Sequence, residues 1–238
     1  KARLGWGIPS PLSGEHVTYV WFDALINYIS ACGYPDAGKM AERWPADVHI
    51  VGKDILRHHA IYWPIILRAL GLEPPRRIFA HGWWVQGGQK MSKSLGNVTD
   101  PLEIVKVYGV DPYRYFLLSE TPFGEDGTFS EEALINRFNT NLANDLGNLL
   151  HRSLTMCEKY FGGQIPEGIS SQCVGSLKDH VNTLMPTLAS FMDKLAFSEA
   201  LSEIWVLINQ ANKFIEENAP WTLSKEGKTE ELKKVIVS

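Results

Sequence analysis

The chain has little cysteine, little surplus charge and no long apolar run, and each shortage removes a class of protein. Its three cysteines, Cys32, Cys157 and Cys173, stand far apart without metal-ligand spacing. They read as core or surface thiols in a reducing compartment, with no zinc or other metal site in this chain. A formal net charge of -4 argues against a protein wrapped in positive potential for indiscriminate nucleic-acid binding, while leaving room for a local basic patch. No apolar stretch approaches the roughly 18 residues that span a bilayer. The opening Lys1-Ala2-Arg3-Leu4-Gly5-Trp6-Gly7 has no signal-peptide core, so the expectation is a cytoplasmic protein with no membrane partner. The chain also lacks a starting Met and moves at once into Trp6-Gly7-Ile8-Pro9, which reads as the middle of something longer.

What is present is the make-up of a globular protein. At 238 residues, 45% of them hydrophobic and 21% charged, the chain is large enough for one big domain or two modest ones. Thr18 to Phe22 is a β-branched and aromatic run that reads as a buried strand continuing into a helical turn from Asp23 to Ser30. Val48 to Gly52 reads as a second strand, with Asp54 as N-cap of a helix from about Ile55 to Leu70 closed by Gly71. Ile78 to Val85 reads as a third strand. Strands joined by a helical crossover suggest an α/β, doubly wound parallel sheet whose ligands lie at the carboxyl ends of the strands.

Beyond residue 98 the pattern becomes helical. Pro101 to Tyr108 and Pro112 to Ser119 read as short connector helices, each with Asp before a Pro at the first helical position. After the turn-rich Pro122 to Gly127, Ser130-Glu131-Glu132 starts a long helix with Leu134, Phe138, Leu142, Leu146 and Leu149 on one stripe. A Gly/Pro/Ser stretch from Gly162 to Ser171 interrupts it, and helices resume at about Val174 to Met192, Ser198 to Asn218 and Lys228 to Val237. The second half therefore reads as a helical bundle, with a boundary near residues 122 to 130.

The stretch most pointed at chemistry is Lys90-Met91-Ser92-Lys93-Ser94, followed by Leu95-Gly96-Asn97-Val98. It satisfies neither a helix nor a strand period, and it offers two mobile cations with hydroxyl and amide donors, the equipment that meets phosphate as negative charge builds up. A solvated basic turn is the plain alternative. Trp21, Tyr28 and Trp63 are candidate ring walls for a pocket, although aromatics at such positions are ordinarily core. Asn148 and Arg152, four residues apart, share a helix face able to read a base edge or a phosphate, and Trp221 after Pro220 offers a ring for stacking an unpaired base. A solvated face and a packing anchor are their bland readings.

Taken together, Trp6-Gly7-Ile8-Pro9, Tyr19-Val20-Trp21-Phe22-Asp23-Ala24-Leu25-Ile26-Asn27-Tyr28, Gly52-Lys53-Asp54-Ile55, His59 through Trp63-Pro64 and the KMSKS pentamer resemble the methionyl-tRNA synthetases, a family of class I aminoacyl-tRNA synthetases. The resemblance covers nearly the whole chain. It implies the second half of a Rossmann-like catalytic domain with its signature loop over residues 1-98, a stem-contact connector over 99-128, and an all-α, C-terminally incomplete anticodon-binding helical bundle over 129-238. It implies that Lys93, Lys90 and Ser92 act on the departing pyrophosphate and that Gly52, Asp54, His81, Gly82 and Trp84 join the two lysines around ATP. Methionine would lie against Trp21, Leu25, Tyr28, Asp54, Ile55, His59 and Trp63, with the Tyr28 hydroxyl offered to the thioether. Leu25 departs from the Pro that many relatives carry, which alters shape and not apolar character. Asn148, Arg152 and Trp221 match the readers of the CAU anticodon.

The implied reaction is ATP-dependent activation of methionine and transfer to tRNA(Met), with magnesium on the phosphates and no enzyme nucleophile. No zinc is expected in this portion; the HIGH motif and a connective segment, zinc-bearing or zinc-free, are expected in an absent N-terminal portion, so these residues alone are expected to be inactive. Two rivals stay open: a non-catalytic tRNA-binding module on the same scaffold, and a synthetase for another apolar amino acid.

Overall fold

The computed structural model describes residues 6–91, 98–166 and 175–237. It is an α/β chain of many helices and small sheets, and it divides into two compact units, Lys1–Trp83 and Trp84–Ser238.

The first unit opens with an antiparallel pair, β1 (Pro9–Ser10) and β2 (Ser13–Val17), followed by helix α1 (Val20–Ala31). The strand expected over Thr18 to Phe22 is therefore not formed. Extended backbone ends at Thr18, whose N–H bonds to the Ile8 carbonyl at 2.7 Å, and Tyr19 is the helix N-cap. The helical period wins over β-propensity because Leu25 and Ile29, one turn apart, are both buried, with Trp21 and Tyr28 packed beside them. A short helix, α2 (Ala37–Ala41), is capped by the Asp36 carboxylate, which accepts from the amides of Gly38 and Lys39.

Strand β3 (His49–Gly52) pairs in parallel with β4 (Ile78–His81), and the connection between them is helical, a single β-α-β crossover. The crossover starts at Lys53, with Gly52 rather than Asp54 as N-cap. It passes through a 3₁₀ turn (Lys53–Ile55) and a π turn (His58–Tyr62) into α3 (Trp63–Ala69). The wide turn sits just ahead of Pro64, whose ring would otherwise collide with the carbonyl one turn back and which has no N–H to give. Leu25, Ile29, Met40, Trp63 and Leu67 form the core beneath.

The expected strand from Ile78 to Val85 is broken. β4 ends at His81, the chain turns at Gly82 and Trp83, and β5 (Trp84–Gln86) belongs to another sheet, of order β6-β5-β7, with β6 (Gln89–Lys90) and β7 (Gly127–Thr128). That sheet and helices α4 (Pro101–Tyr108), α5 (Val110–Ser119) and α6 (Glu131–Arg137) enclose Ile104, Phe116, Phe129 and Leu134. Helix α5 begins two residues before Pro112, with Gly109 at its N-cap.

The long helix after Ser130 is not uniform. Past α6 it runs as a π segment (Phe138–Gly147) and then as α7 (Asn148–Phe161). Of the five-residue stripe expected to be apolar and inward, Leu134 is buried, while Phe138 and Leu146 are exposed at 39% and 41%. Bonding from i to i+5 turns residues spaced by four off a single face. Helices α8 (Gly175–Asp193), α9 (Phe197–Asn218), α10 (Pro220–Lys225) and α11 (Thr229–Val237) complete the unit, with α9 packed by α5, α7, α8 and the π segment.

Candidate functional site

In the first unit the structure gathers six of the seven residues predicted to hold methionine into or beside one cluster of rings. His59, 1% exposed, lies between two hydrogen bonds: its Nδ1 is 2.9 Å from the Ile55 carbonyl and its Nε2 is 2.8 Å from the Tyr28 hydroxyl. The carbonyl can only accept, so Nδ1 carries the proton, Nε2 is the acceptor, and the tyrosine donates. Burial pushes the Tyr28 phenol above its ordinary range, which keeps that donor protonated. The π turn places His58 and His59 so that both meet Trp21, in different geometries. His58 stacks on Trp21 with centroids 4.1 Å apart, while His59 meets Trp21 edge-on at 6.0 Å.

Tyr28 continues the chain of rings, 4.4 Å from His49 and 6.0 Å from Trp63. Trp63 is fully buried, and its indole N–H points to His49 Nε2 at 3.4 Å. Leu25, 1% exposed, forms the floor. The cluster is mostly ring and aliphatic surface crossed by two internal hydrogen bonds, Tyr28–His59 and Trp63–His49, surroundings that suit an unbranched, polarizable side chain.

Asp54 lies near the carboxyl end of β3 and accepts from the Trp83 indole N–H at 3.4 Å, while the Lys53 ammonium stands 4.2 Å over the same indole. A Cβ on Gly52 would come within 2.7 Å of the Asp54 carboxylate, so glycine is what lets that carboxylate fold back over the strand end. His81 ends β4 opposite Gly52 and is 2.8 Å from the Gly82 carbonyl through Nδ1. Gly52, Asp54, His81 and Gly82 thus share one end of the β3–β4 pair. Trp84, grouped with them in the sequence, lies in the second unit, where its ring packs on Phe116 and over Gly127. Lys93 and Ser92 lie outside the described residues, and of Lys90 only the backbone, in β6, is described.

In the second unit Asn148 and Arg152 share a face of α7, as their spacing predicts, and Trp221 is on α10. The Arg152 guanidinium stands 5.9 Å over the Trp221 ring, and Glu216 reaches it from α9 at 3.5 Å. Trp221 is 41% exposed, with its ring available beside that cation.

The sequence reading missed His49, His58, Lys53 and Trp83. Alternation along β3 turns His49 and Val51 inward and Ile50 outward, a period-2 signal that could have found the first. His58 owes its place to the π turn, which has no comparable signal. Among the described residues, no group of three or more His, Cys, Asp or Glu is arranged to hold a metal ion, and no helix is long and apolar enough to cross a membrane.

Comparison with known proteins matches this chain over residues 2–154 to a family model described as tRNA synthetases class I (M). A methionine--tRNA ligase of Caldanaerobacter subterraneus is 54% identical over 229 residues, covering 95% of this chain and 36% of that protein. One from Clostridium tetani is 50% identical over 95% of the chain. Among solved structures, the Mycobacterium tuberculosis methionyl-tRNA synthetase in complex with methionyl-adenylate superposes with a TM-score of 0.88 at 42% identity, covering 99% of this chain and 48% of that one. The chain thus spans about a third of the length of the curated relatives.

Proposed function

The chain belongs to the class I tRNA synthetases of the methionyl type, and from that premise we propose that it carries the methionine-binding, ATP-binding and anticodon-binding parts of a methionine--tRNA ligase acting in the cytoplasm. In this reading residues 1-98 are the later half of a Rossmann-like nucleotide-binding domain, 99-128 a connector to the acceptor stem, and 129-238 an anticodon-binding bundle. A methionine carboxylate oxygen attacks the α-phosphorus of ATP, the bond to the β-phosphate oxygen breaks, and pyrophosphate leaves. The terminal ribose hydroxyl of tRNA(Met) then attacks the methionyl carbonyl and AMP departs.

This chain's residues bind and orient. Trp21, Leu25, Tyr28, Ile55, His59 and Trp63 enclose the side chain. Asp54, beside Gly52, His81 and Gly82, holds the amino acid and the ribose at the strand ends. Lys90, Ser92 and Lys93 receive the pyrophosphate charge, with Trp84 the remaining contact of the nucleotide. Magnesium would travel with the ATP phosphates, supplying charge neutralisation, and no described side-chain group is assigned to it. Asn148, Arg152 and Trp221 take the unstacked anticodon bases.

The observation that carries the reading is the Tyr28–His59 hydrogen bond set among Trp21, Trp63 and Leu25, a polar pair held within a largely apolar cluster of rings. The test is ATP–pyrophosphate exchange with methionine, leucine and norleucine, using these residues alone and joined to an N-terminal half bearing a HIGH motif. Exchange that needs both the N-terminal half and methionine is expected. Equal exchange with leucine would shift the assignment to another apolar amino acid, and RNA binding without any exchange would make the chain a binding module.

A further inference from the structure

We propose that His49 is a positioning residue for the amino-acid pocket, accepting the Trp63 indole N–H on Nε2 and so fixing two ring walls, Trp63 and Tyr28, at once. The inference rests on the methionine reading above and adds a residue to it. Trp63 is 0% exposed and His49 6%, so the indole N–H has little water to turn to, and a buried donor left unpaired is costly. The acceptor at 3.4 Å is His49 Nε2, and the edge-to-face contact of Tyr28 with the same imidazole, 4.4 Å between centroids at 65°, ties the wall from α1 to the wall from α3. The imidazole is itself carried on β3, paired with Ile78 of β4, which gives both walls a rigid base.

The arrangement demands a neutral imidazole protonated on Nδ1. A charged His49 would set an N–H against the indole N–H, two donors with nothing between them. Among the described residues, the titratable rings packed against it are Tyr28 from α1 and His59 from the π turn. Burial, and then the charge His59 can carry, hold the His49 imidazole below its ordinary value of 6.5, so the acceptor persists at neutral pH.

The experiment is methionine-dependent ATP–pyrophosphate exchange by the complete synthetase of the proposed function, with His49→Leu and His49→Gln. The Leu variant, which cannot accept, should raise the KM for methionine roughly tenfold with kcat and the KM for ATP nearly unchanged. The Gln variant should recover most of that loss through its carbonyl oxygen. Lowering the pH should raise the methionine KM of the parent more steeply than that of the Gln variant, a comparison that stands even if the Leu variant does not fold. Equal KM values in parent, Leu and Gln forms, or a parallel acid rise in parent and Gln forms, would overturn the role of His49 alone. A parent without methionine-dependent exchange would overturn the proposed function and this assignment together.

Discussion

Trp63 and Trp221 each stand next to a proline, Trp63 before Pro64 and Trp221 after Pro220, and the two units use them in opposite ways. In the first unit the proline follows the ring by one residue, the helix widens ahead of it, and Trp63 turns inward until nothing of it is exposed. In the second the proline starts α10 and is itself buried, which leaves Trp221 at the surface beside Arg152. Under the proposed function, a small apolar ligand would be discriminated by walls that cannot move, and an unstacked base by a ring that is open and backed by a cation. The cost of each wall should differ accordingly.

The largest expected contrast is in stability. Trp63→Ala should destabilise the first unit by about 3–5 kcal/mol, since it leaves a cavity among Leu25, Ile29 and Leu67. Trp221→Ala should cost less, about 1–2 kcal/mol, because its ring is only partly covered and loses one cation–π contact. Urea unfolding of both variants checks the pair, and similar losses would dissolve the distinction.

In binding the order should reverse. In the complete synthetase of the proposed function, Trp221→Ala or Arg152→Ala should weaken binding of an anticodon stem-loop by about 1–3 kcal/mol, measured by fluorescence titration, while leaving adenylate formation intact. Equal loss in both assays would defeat the assignment. Tyr28→Phe removes the donor to His59 Nε2 inside the first unit and should cost about 1–2 kcal/mol in stability, with a weaker affinity for methionine. At the edge of the second site, Ala219 caps α9 at φ 38, a left-handed conformation in which a side chain is strained. Ala219→Gly should gain up to about 1 kcal/mol in thermal unfolding without touching the ring cluster.

The smallest effect is one of pH, and it belongs to the first unit. His49 is held below its ordinary 6.5, so as pH falls through that value the unfolded chain takes up a proton that the folded one refuses. Stability contributed here is present above pH 6.5 and declines as the solution is acidified toward the folded-state value. Replacing His49 by Gln should remove that part of the slope in denaturation midpoints recorded between about pH 7 and 5.

Residue type singled out Trp21, Tyr28 and Trp63 as ring candidates, and the family resemblance added Leu25 and His59; the structure packs the five side chains around one another. The secondary structure carrying them was harder to read. Thr18 to Phe22 has the composition of a strand, yet the burial of Leu25 and Ile29 on one stripe draws its second half into a helix. The break at Gly82 and Trp83 escapes a periodicity argument because the apolar run continues through it, although its two halves pair in different sheets. Phe138 and Leu146 look like core residues until the π segment rotates them outward.

By itself, the order of residues determined the kinship and nominated the candidate side chains, since both depend on identity and spacing along the chain. Which ring nitrogen bears a proton, that Trp63 leans on His49, that Arg152 lies over Trp221, and that His58 stacks on Trp21 while His59 meets it edge-on were decided only when strands and helices met. Hydrogen bonds and ring contacts between residues tens of positions apart are fixed by packing direction, which a one-dimensional pattern does not contain.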